Sequence, residues 1–287
     1  TTHRSQNGAA ARRTGDRPSP VSDWPVMRRW PYIDGMRTVR TTAYPTMTTR
    51  LFAVWVFTLV LGTYLLGGGH PVNAADPAAK TPVVVELYTS QGCSSCPPAD
   101  QLLAELATDE TIVALSLHVD YWDYIGWQDP FSDPLYTDRQ RAYLASLSNR
   151  FIYTPQIIVD GRWDVVGSRR NQVREAIEKA RGTPKIPIIL EQERLIIPAG
   201  HAPDGGATIW MAFFDQKHET EVRAGENNGR KITNAHVVRK LVKIGEWNGA
   251  AVTMDLNMEA AIADGRDGCA VLLQSNETGP IIGAALL

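Results

Sequence analysis

The stretch YTSQGCSSCPPAD, residues 88–100, places two cysteines between an apolar run and a helix-like segment. The apolar run, residues 82–87, precedes it, and leucines at helical spacing follow it. Pro97 suits the first turn of a helix, where no amide hydrogen bond is lost. The stretch therefore predicts a strand, a tight turn that carries Cys93 and Cys96, and a helix that begins directly after them.

Two cysteines at this spacing, at the start of a helix, are typical of a dithiol redox site. The helix N-terminus stabilises a thiolate and lowers the pKa of the first cysteine. The pair can close into a small disulfide ring and reopen by exchange. We expect Cys93 to be the nucleophile, since it lies nearer the exposed turn, and Cys96 to resolve the mixed disulfide. Ser94 and Ser95 are placed to hydrogen-bond the sulfur and to line the substrate site.

A bare Cys-x-x-Cys also occurs in zinc sites and in static disulfides. Zinc normally needs four ligands, but Cys269 is far downstream and the six histidines do not group at ligand spacing. We therefore predict no structural metal and no cofactor. A disulfide that only fixes the turn to the helix remains an alternative. Cys269 stands in the apolar run CAVLLQ and is predicted to be buried in a strand.

Charge is unevenly distributed along the chain. The formal net charge is −2, but residues 1–50 hold nine basic and three acidic residues, and residues 51–74 hold neither kind. Residues 75–287 therefore carry 20 basic and 28 acidic side chains, a balance of −8. An acidic body without a basic cluster argues against nucleic acid as the partner.

The first part of the sequence is predicted to direct export. Residues 47–50 form a short basic segment, residues 51–66 are apolar, and Val72-Asn73-Ala74 fits the small-x-small pattern of a cleavage site. We predict a signal peptide over residues 47–74, a disordered upstream extension over residues 1–46, and a secreted or periplasmic mature protein. The alternative is an uncleaved anchor, through which alone the protein would contact a membrane. Export favours an oxidised cysteine pair.

Strand-like and helical segments alternate from residue 81 onward. Strands are predicted at residues 82–88, 111–119, 156–160 and 163–166, and helices at residues 97–108, 135–147 and 172–181. Helix-linked strands are expected to be parallel, whereas the short Asp160-Gly161-Arg162 link predicts an antiparallel hairpin. This β-α-β-α-β-β-α order, with Cys-x-x-Cys at the start of the first helix, resembles the minimal thioredoxin fold. We assign residues 75–183 to such an α/β domain.

That resemblance implies roles for three further residues. Thioredoxin-like proteins have a cis-proline that faces the cysteines, immediately before the third strand. Pro155 stands at that position here, and an ordinary trans proline at the start of the strand is the alternative. Thr154 would then border the substrate groove. Glu86 lies in an apolar strand near the position of the buried Asp that shuttles protons in thioredoxins. It is a candidate proton relay, with an ion pair elsewhere as the alternative.

An aromatic loop, DYWDYIGWQDPF at residues 120–131, follows the second predicted strand. Ligands in open α/β sheets bind beyond the C-terminal ends of the strands, so His118, Asp120 and Trp122 are predicted to face the cysteines and the substrate. A buried core histidine under a packed aromatic lid fits the same pattern.

The character of the sequence changes after Thr183-Pro184. Residues 184–287 carry short apolar stretches separated by Gly-, Asp- and Asn-rich turns, which predicts a smaller β-rich, sandwich-like domain. Its most distinctive stretch is GENNGRKITNAHVVRKL, residues 225–241. This stretch is interpreted either as a polar patch that includes Glu226 and Asn234 or as a solvated hairpin loop.

Residues 80–287 are similar to an uncharacterised family of secreted bacterial proteins with a thioredoxin-like domain. The likeness rests on ELYTSQGCSSCPPAD, HVDYWDYIGW and GENNGR with the downstream HVVR. It implies the fold and names no substrate.

Three functional hypotheses follow. The first is an exported thiol–disulfide oxidoreductase, whose partners are protein or small-molecule thiols and disulfides. The second is a non-catalytic binding module with a structural disulfide. The third is a copper-handling protein that binds Cu(I) through Cys93, Cys96 and His118, because soft thiolates suit that ion.

Overall fold

The computed structural model describes residues 81–147, 149–256 and 265–287. The predicted extension at residues 1–46 and the predicted signal peptide at residues 47–74 lie outside the described residues. The elements in chain order are β1 (Val83–Thr89), α1 (Pro97–Leu106), β2 (Ile112–His118), α2 (Pro134–Ser146), β3 (Gln156–Val159), β4 (Trp163–Val166), α3 (Arg170–Arg181), β5 (Ile189–Glu191), β6 (Arg194–Ile197), β7 (Ala207–Glu221), β8 (Lys231–Trp247), β9 (Val252–Asp255), β10 (Gly268–Ser275) and β11 (Ile281–Leu286).

Eight strands form one mixed sheet in the order β11-β10-β7-β8-β2-β1-β3-β4. β1 and β2 are parallel along their whole length, as predicted for strands joined by a helix. β3, however, runs antiparallel to β1, so the parallel expectation is wrong for the connection through α2. After α2 the chain enters β3 from the opposite end of β1. The predicted β-α-β-α-β-β-α element order is confirmed.

The hairpin between β3 and β4 is antiparallel, as the short link predicts. Asp160 and Gly161 occupy its turn with φ angles of 46° and 62°. Positive φ at both central residues belongs to the tight turn that matches the twist of two paired strands, and Asp and Gly tolerate it best.

The faces of β1 carry different neighbours. Val85 and Leu87 belong to a hydrophobic core that β1 to β3 share with α1 and α3. Side chains alternate along a strand, so Glu86 points to the opposite face, where it contacts Arg139 of α2. The sheet is therefore covered by α1 and α3 on one face and by α2 on the other.

The β-rich region predicted after residue 183 is present, but four of its strands continue the first sheet. The long strands β7 and β8 form an antiparallel hairpin, and β8 meets β2 through Ser116 and Val237. A three-stranded antiparallel sheet, β5-β6-β9, packs on β7, β8 and β10 and forms a second core around Leu195, Ile209 and Val271. One continuous sheet thus runs through both predicted halves of the chain.

Within the described residues, no helix is both long and apolar enough to cross a bilayer.

Candidate functional site

Cys93 and Cys96 form a disulfide in the turn that precedes α1, here called the cysteine turn (residues 90–96). Their Cα atoms are 5.5 Å apart, and Cys96 is the N-cap residue of α1. The Cys93 amide donates to the carbonyl oxygen of Ser90 at 3.1 Å, and the Cys96 amide donates to that of Cys93 at 3.2 Å. The cysteine turn is therefore closed by its own backbone, and the predicted pairing of the two cysteines at a helix start is confirmed.

The disulfide is enclosed by protein. Cys93 and Cys96 each expose 0% of their surface, whereas Ser94 and Ser95 between them are exposed. The Ser95 hydroxyl lies 3.3 Å from the Cys93 sulfur, as expected, but the contact of Ser94 is a backbone amide that donates to Glu226. Cys93 adjoins the exposed Ser94, but its own surface is covered by segments distant in sequence.

The first covering segment is the hairpin tip, residues 222–230, which joins β7 to β8. The side-chain amide of the fully buried Asn227 donates to the carbonyl oxygens of Gln91 at 2.9 Å and of Cys93 at 2.8 Å. The Glu226 carboxylate accepts from the Ser94 amide at 3.1 Å, and hydrogen bonding by Ser94 lowers the pKa of Glu226. The GENNGR stretch is thus the tip of a hairpin, and its Glu226 and Asn227 side chains bind the cysteine turn.

The second covering segment is the aromatic loop, residues 120–131. The Trp127 indole donates to the side-chain oxygen of Gln91 at 3.3 Å, and the Trp122 indole donates to the Thr154 hydroxyl at 2.8 Å. A Cβ atom placed on Gly92 would lie 3.2 Å from Cδ1 of Ile125. A side chain at this position would require Ile125 to shift, so the loop packs directly against the cysteine turn.

The Thr154–Pro155 peptide bond is cis, as predicted. The carbonyl oxygen of the buried Pro155 accepts from the Gly167 amide at 2.9 Å. A Cβ atom placed on Gly167 would lie 2.9 Å from Cβ of Ala99 and 3.3 Å from Cβ of Pro155. Gly167 therefore fits between α1 and Pro155, which places the proline beside the helix that begins at the disulfide.

A buried ion pair joins His118, at the end of β2, to Asp129 in the aromatic loop. Their Nδ1 and Oδ2 atoms are 2.7 Å apart, and both side chains are fully buried. The same carboxylate oxygen accepts from the Gln91 amide at 2.8 Å. Burial lowers the pKa of His118, but the charge and the hydrogen bond of Asp129 outweigh burial, and the pKa is raised. Across the described residues, Nε2 of His118 has no hydrogen-bond partner.

His118 was predicted to face the substrate, and in this structure its ring is enclosed by the aromatic loop. Phe131 packs edge-to-face on its ring at a centroid distance of 5.3 Å, and no surface of His118 is exposed. The alternative, a buried core histidine beneath the aromatic loop, is what the structure shows.

Asp100 is a residue of the site that the sequence analysis did not single out. It lies in the first turns of α1, exposes 3% of its surface, and accepts from the Thr89 hydroxyl at 2.9 Å. Burial raises the pKa of Asp100 to about 7, against the opposing charge of His118 and the hydrogen bond from Thr89. A signal was present, because Asp100 stands on the same helix face as Cys96 and the apolar Leu103.

Gln91 connects the three segments. Its side-chain amide nitrogen donates to the Thr220 hydroxyl at 2.9 Å and to the Asn234 side-chain oxygen at 3.0 Å, both on the β7–β8 hairpin. Its side-chain oxygen receives the Trp127 hydrogen bond, and its backbone amide donates to Asp129. The cysteine turn, the aromatic loop and the hairpin therefore share one buried polar network.

Two predicted carboxylates hydrogen-bond to side chains of α2. Glu86 accepts from Nε of Arg139 at 2.7 Å and from the Tyr143 hydroxyl at 2.6 Å, on the sheet face opposite α1. The ion-pair alternative therefore describes Glu86, because strand alternation directs it away from the cysteine turn. Asp120 accepts from the Thr137 hydroxyl of α2 at 2.6 Å and is held there.

The described residues contain no group of three or more His, Cys, Asp or Glu side chains placed to hold a metal ion. The copper set Cys93, Cys96 and His118 is thus not assembled in this form, in which the two sulfurs are bonded to each other. Cys269 is buried in β10, as predicted, and burial raises the pKa of its thiol to about 11.

Residues 84–274 match a family model described as a protein of unknown function, DUF1223. The chain belongs to the DUF1223 family. The matched span contains the cysteine turn, the aromatic loop and the hairpin tip, so the three segments that enclose the disulfide all lie within the family region.

Two solved structures are similar to this DUF1223 chain. A crystal structure of a protein from Agrobacterium tumefaciens is 33% identical and covers 71% of this chain and 93% of its own, with a TM-score of 0.63. HBP35 of Porphyromonas gingivalis is 14% identical and covers 72% of this chain and 75% of its own, with a TM-score of 0.49. No curated protein matches the chain.

Proposed function

We propose that this DUF1223 protein is an exported thiol–disulfide exchange protein with a thioredoxin-like fold, in which Cys93 and Cys96 are the redox centre. One observation carries the proposal: a disulfide lies at the N-terminus of a helix, with the buried carboxyl group of Asp100 one turn behind it. Export rests on the predicted signal peptide, residues 47–74.

The arrangement of the first seven elements supports the thioredoxin-like fold. β2, β1, β3 and β4 are neighbours in that order, and helices cover both faces of these strands. The disulfide precedes α1, and Pro155 precedes β3. The sequence resemblance implies this same order and these same two positions.

The proposed reaction moves two electrons. A substrate thiolate attacks the Cys93 sulfur, the Cys93–Cys96 bond breaks, and Cys96 leaves as a thiolate. A second substrate thiolate attacks the substrate sulfur of this mixed disulfide, which releases the oxidised substrate and the Cys93 thiolate. The cysteine pair has gained the two electrons that the substrate lost, and the two substrate protons protonate the pair. The reverse sequence reduces a substrate disulfide.

Asp100 is the group that takes up and returns one of these protons. It lies four residues after Cys96 on α1, so both side chains project from the same helix face. Burial raises the pKa of Asp100 to about 7, so both of its protonation states are populated near neutral pH. A group with this property is suited to general acid–base transfer.

A second candidate function, a binding module with a structural disulfide, is favoured by a different observation. Neither Cys93 nor Cys96 exposes any surface, and a disulfide without access exchanges slowly. In this alternative the disulfide fixes the conformation of the cysteine turn, to which the hairpin tip and the aromatic loop bind.

The test that separates the two candidates combines the pKa of reduced Cys93 with an exchange assay. Exchange predicts a Cys93 pKa below the value of about 8.5 for a free thiol, read from alkylation rate against pH. It also predicts oxidation of reduced, unfolded lysozyme by the native disulfide form, loss of that activity in C93S, and retention in C269S. An ordinary Cys93 pKa together with no lysozyme oxidation would leave the structural disulfide as the function.

A further inference from the structure

The hairpin tip contacts the same backbone groups that surround the disulfide. Asn227 occupies the carbonyl oxygens of Gln91 and Cys93, and Glu226 occupies the amide of Ser94. These three hydrogen bonds are all made to residues 91–94, the part of the cysteine turn that contains Cys93. The tip therefore occupies the polar backbone surface that a polypeptide partner would use to align a thiol with the Cys93 sulfur.

Access to the disulfide requires one of the two covering segments to move, and the hairpin tip is the one that contacts Cys93 and Ser94 directly. A thiolate must approach a disulfide sulfur directly, but the exposed fraction of Cys93 is 0%. Within the tip, Val222 and Asn227 are buried, whereas Arg223, Glu226, Asn228, Gly229 and Arg230 are exposed. Segments with few buried contacts open at a small fraction of the free energy of global unfolding.

We propose that the hairpin tip is a gate over the Cys93–Cys96 disulfide, with Asn227 as its latch, and that a protein partner opens it. The proposal rests on the exchange function and adds the partner class, a polypeptide rather than a small thiol. An opening equilibrium is shifted only by a ligand that binds the open state more tightly. A polypeptide can replace all three hydrogen bonds of the tip and so stabilise the open state. A small thiol that reacts with the open state without binding to it leaves the equilibrium between the closed and open tip unchanged.

The latch assignment follows from the chemistry of Asn227. Its side-chain amide donates both of its hydrogens to carbonyl oxygens that are otherwise enclosed, and the residue is fully buried. The Cys93 oxygen keeps the hydrogen bond from the Cys96 amide, but the Gln91 oxygen loses the donor that Asn227 supplies. A buried acceptor that loses its donor is costly, so removing the amide favours an open tip in which water reaches that carbonyl. The variant N227D keeps the size and replaces the donor with a carboxylate that repels both oxygens.

The experiment measures the rate at which glutathione reduces the disulfide in the oxidised full-length protein, with acid quench and thiol alkylation. We expect N227A and N227D to react about tenfold to a hundredfold faster than the wild type, because two buried hydrogen bonds are lost. The matched control is R223A, on the same tip, whose side chain is 82% exposed. Its rate is expected to equal that of the wild type.

Unchanged rates in folded N227A and N227D overturn the gate, as does an equal acceleration in R223A. If neither Asn227 variant folds, the variant E226A provides the test, because Glu226 is exposed and its loss removes one hydrogen bond. A reduction rate about twofold or more above that of the wild type supports the gate, and an unchanged rate overturns it. Oxidation of unfolded lysozyme is followed in parallel. If the Asn227 variants are reduced faster but the protein does not oxidise lysozyme, the gate is supported and the exchange function is contradicted.

Discussion

The backbone amide of Asp100 donates to the carbonyl oxygen of Cys96 at 3.1 Å, so the helix itself fixes a carboxyl group one turn behind the disulfide. The Thr89 hydroxyl holds that carboxyl group from β1 at 2.9 Å. Because Asp100 is buried, its protonation state is expected to affect both the stability of the fold and the chemistry of the cysteine pair.

The contribution of Asp100 to the free energy of unfolding is expected to decline as the pH rises from about 4 to about 7. Burial raises the pKa of Asp100 from 3.8 to about 7, so in this window the folded state holds a proton that the unfolded state has lost. A difference of this size corresponds to about 4 kcal/mol. Urea unfolding at several pH values should show a shallower decline in D100N. The exposed D204N is the control, and an identical decline in D100N would contradict the assignment.

His118 should add a loss of stability at higher pH. Its folded pKa is raised above the ordinary value of 6.5, so the ion pair with Asp129 stabilises the fold fully below that value and less as the pH rises through the folded pKa. H118Q should lack this loss when unfolding free energies at pH 6 and pH 8 are compared. The matched control is H201Q, because His201 is exposed. The assignment fails if H118Q loses as much stability as the wild type.

Glu86 should matter for stability and not for redox chemistry. Breaking its buried pair with Arg139 leaves an uncompensated charge, so E86A is expected to cost about 3–5 kcal/mol in denaturant unfolding. The control E105A breaks the exposed pairs with Arg170 and Arg174 and should cost much less, because exposed ion pairs contribute little to stability. The reduction potential of the cysteine pair should be unchanged in E86A. A shifted potential would restore Glu86 as a proton relay.

Gly167 should tolerate no side chain. A Cβ atom there would lie 2.9 Å from Cβ of Ala99, so G167A is expected to cost about 1–3 kcal/mol and to push Pro155 away from α1. G182A is the control, because a Cβ at Gly182 meets nothing nearer than 3.5 Å. Thermal unfolding of both variants checks the prediction, and equal melting temperatures would refute it.

Local patterns predicted the elements well. The apolar runs that became β1 and β2, the proline pair that begins α1, and the Asp160-Gly161 turn each depend on residues adjacent in sequence. The pairing of Cys93 with Cys96 followed from the same kind of pattern, whereas the cis bond before Pro155 was implied by the resemblance to thioredoxin-like proteins.

Contacts between distant segments were not predicted. Asn227 and Asn234 lie more than 130 positions from the groups they bind around Gln91, and nothing in a polar hairpin sequence names its partner. The proton-relay prediction for Glu86 depended on a contact of the same kind. A carboxylate in an apolar strand signals burial, but the face it points to depends on which helix packs there.

The junction of β2 with β8 also bears on how the protein can be divided. A fragment that ends at residue 183 would leave β2 as an open strand edge, and such unpaired backbone groups recruit other chains. Expression of the first half alone should therefore give aggregates, and recombinant work requires the intact sheet.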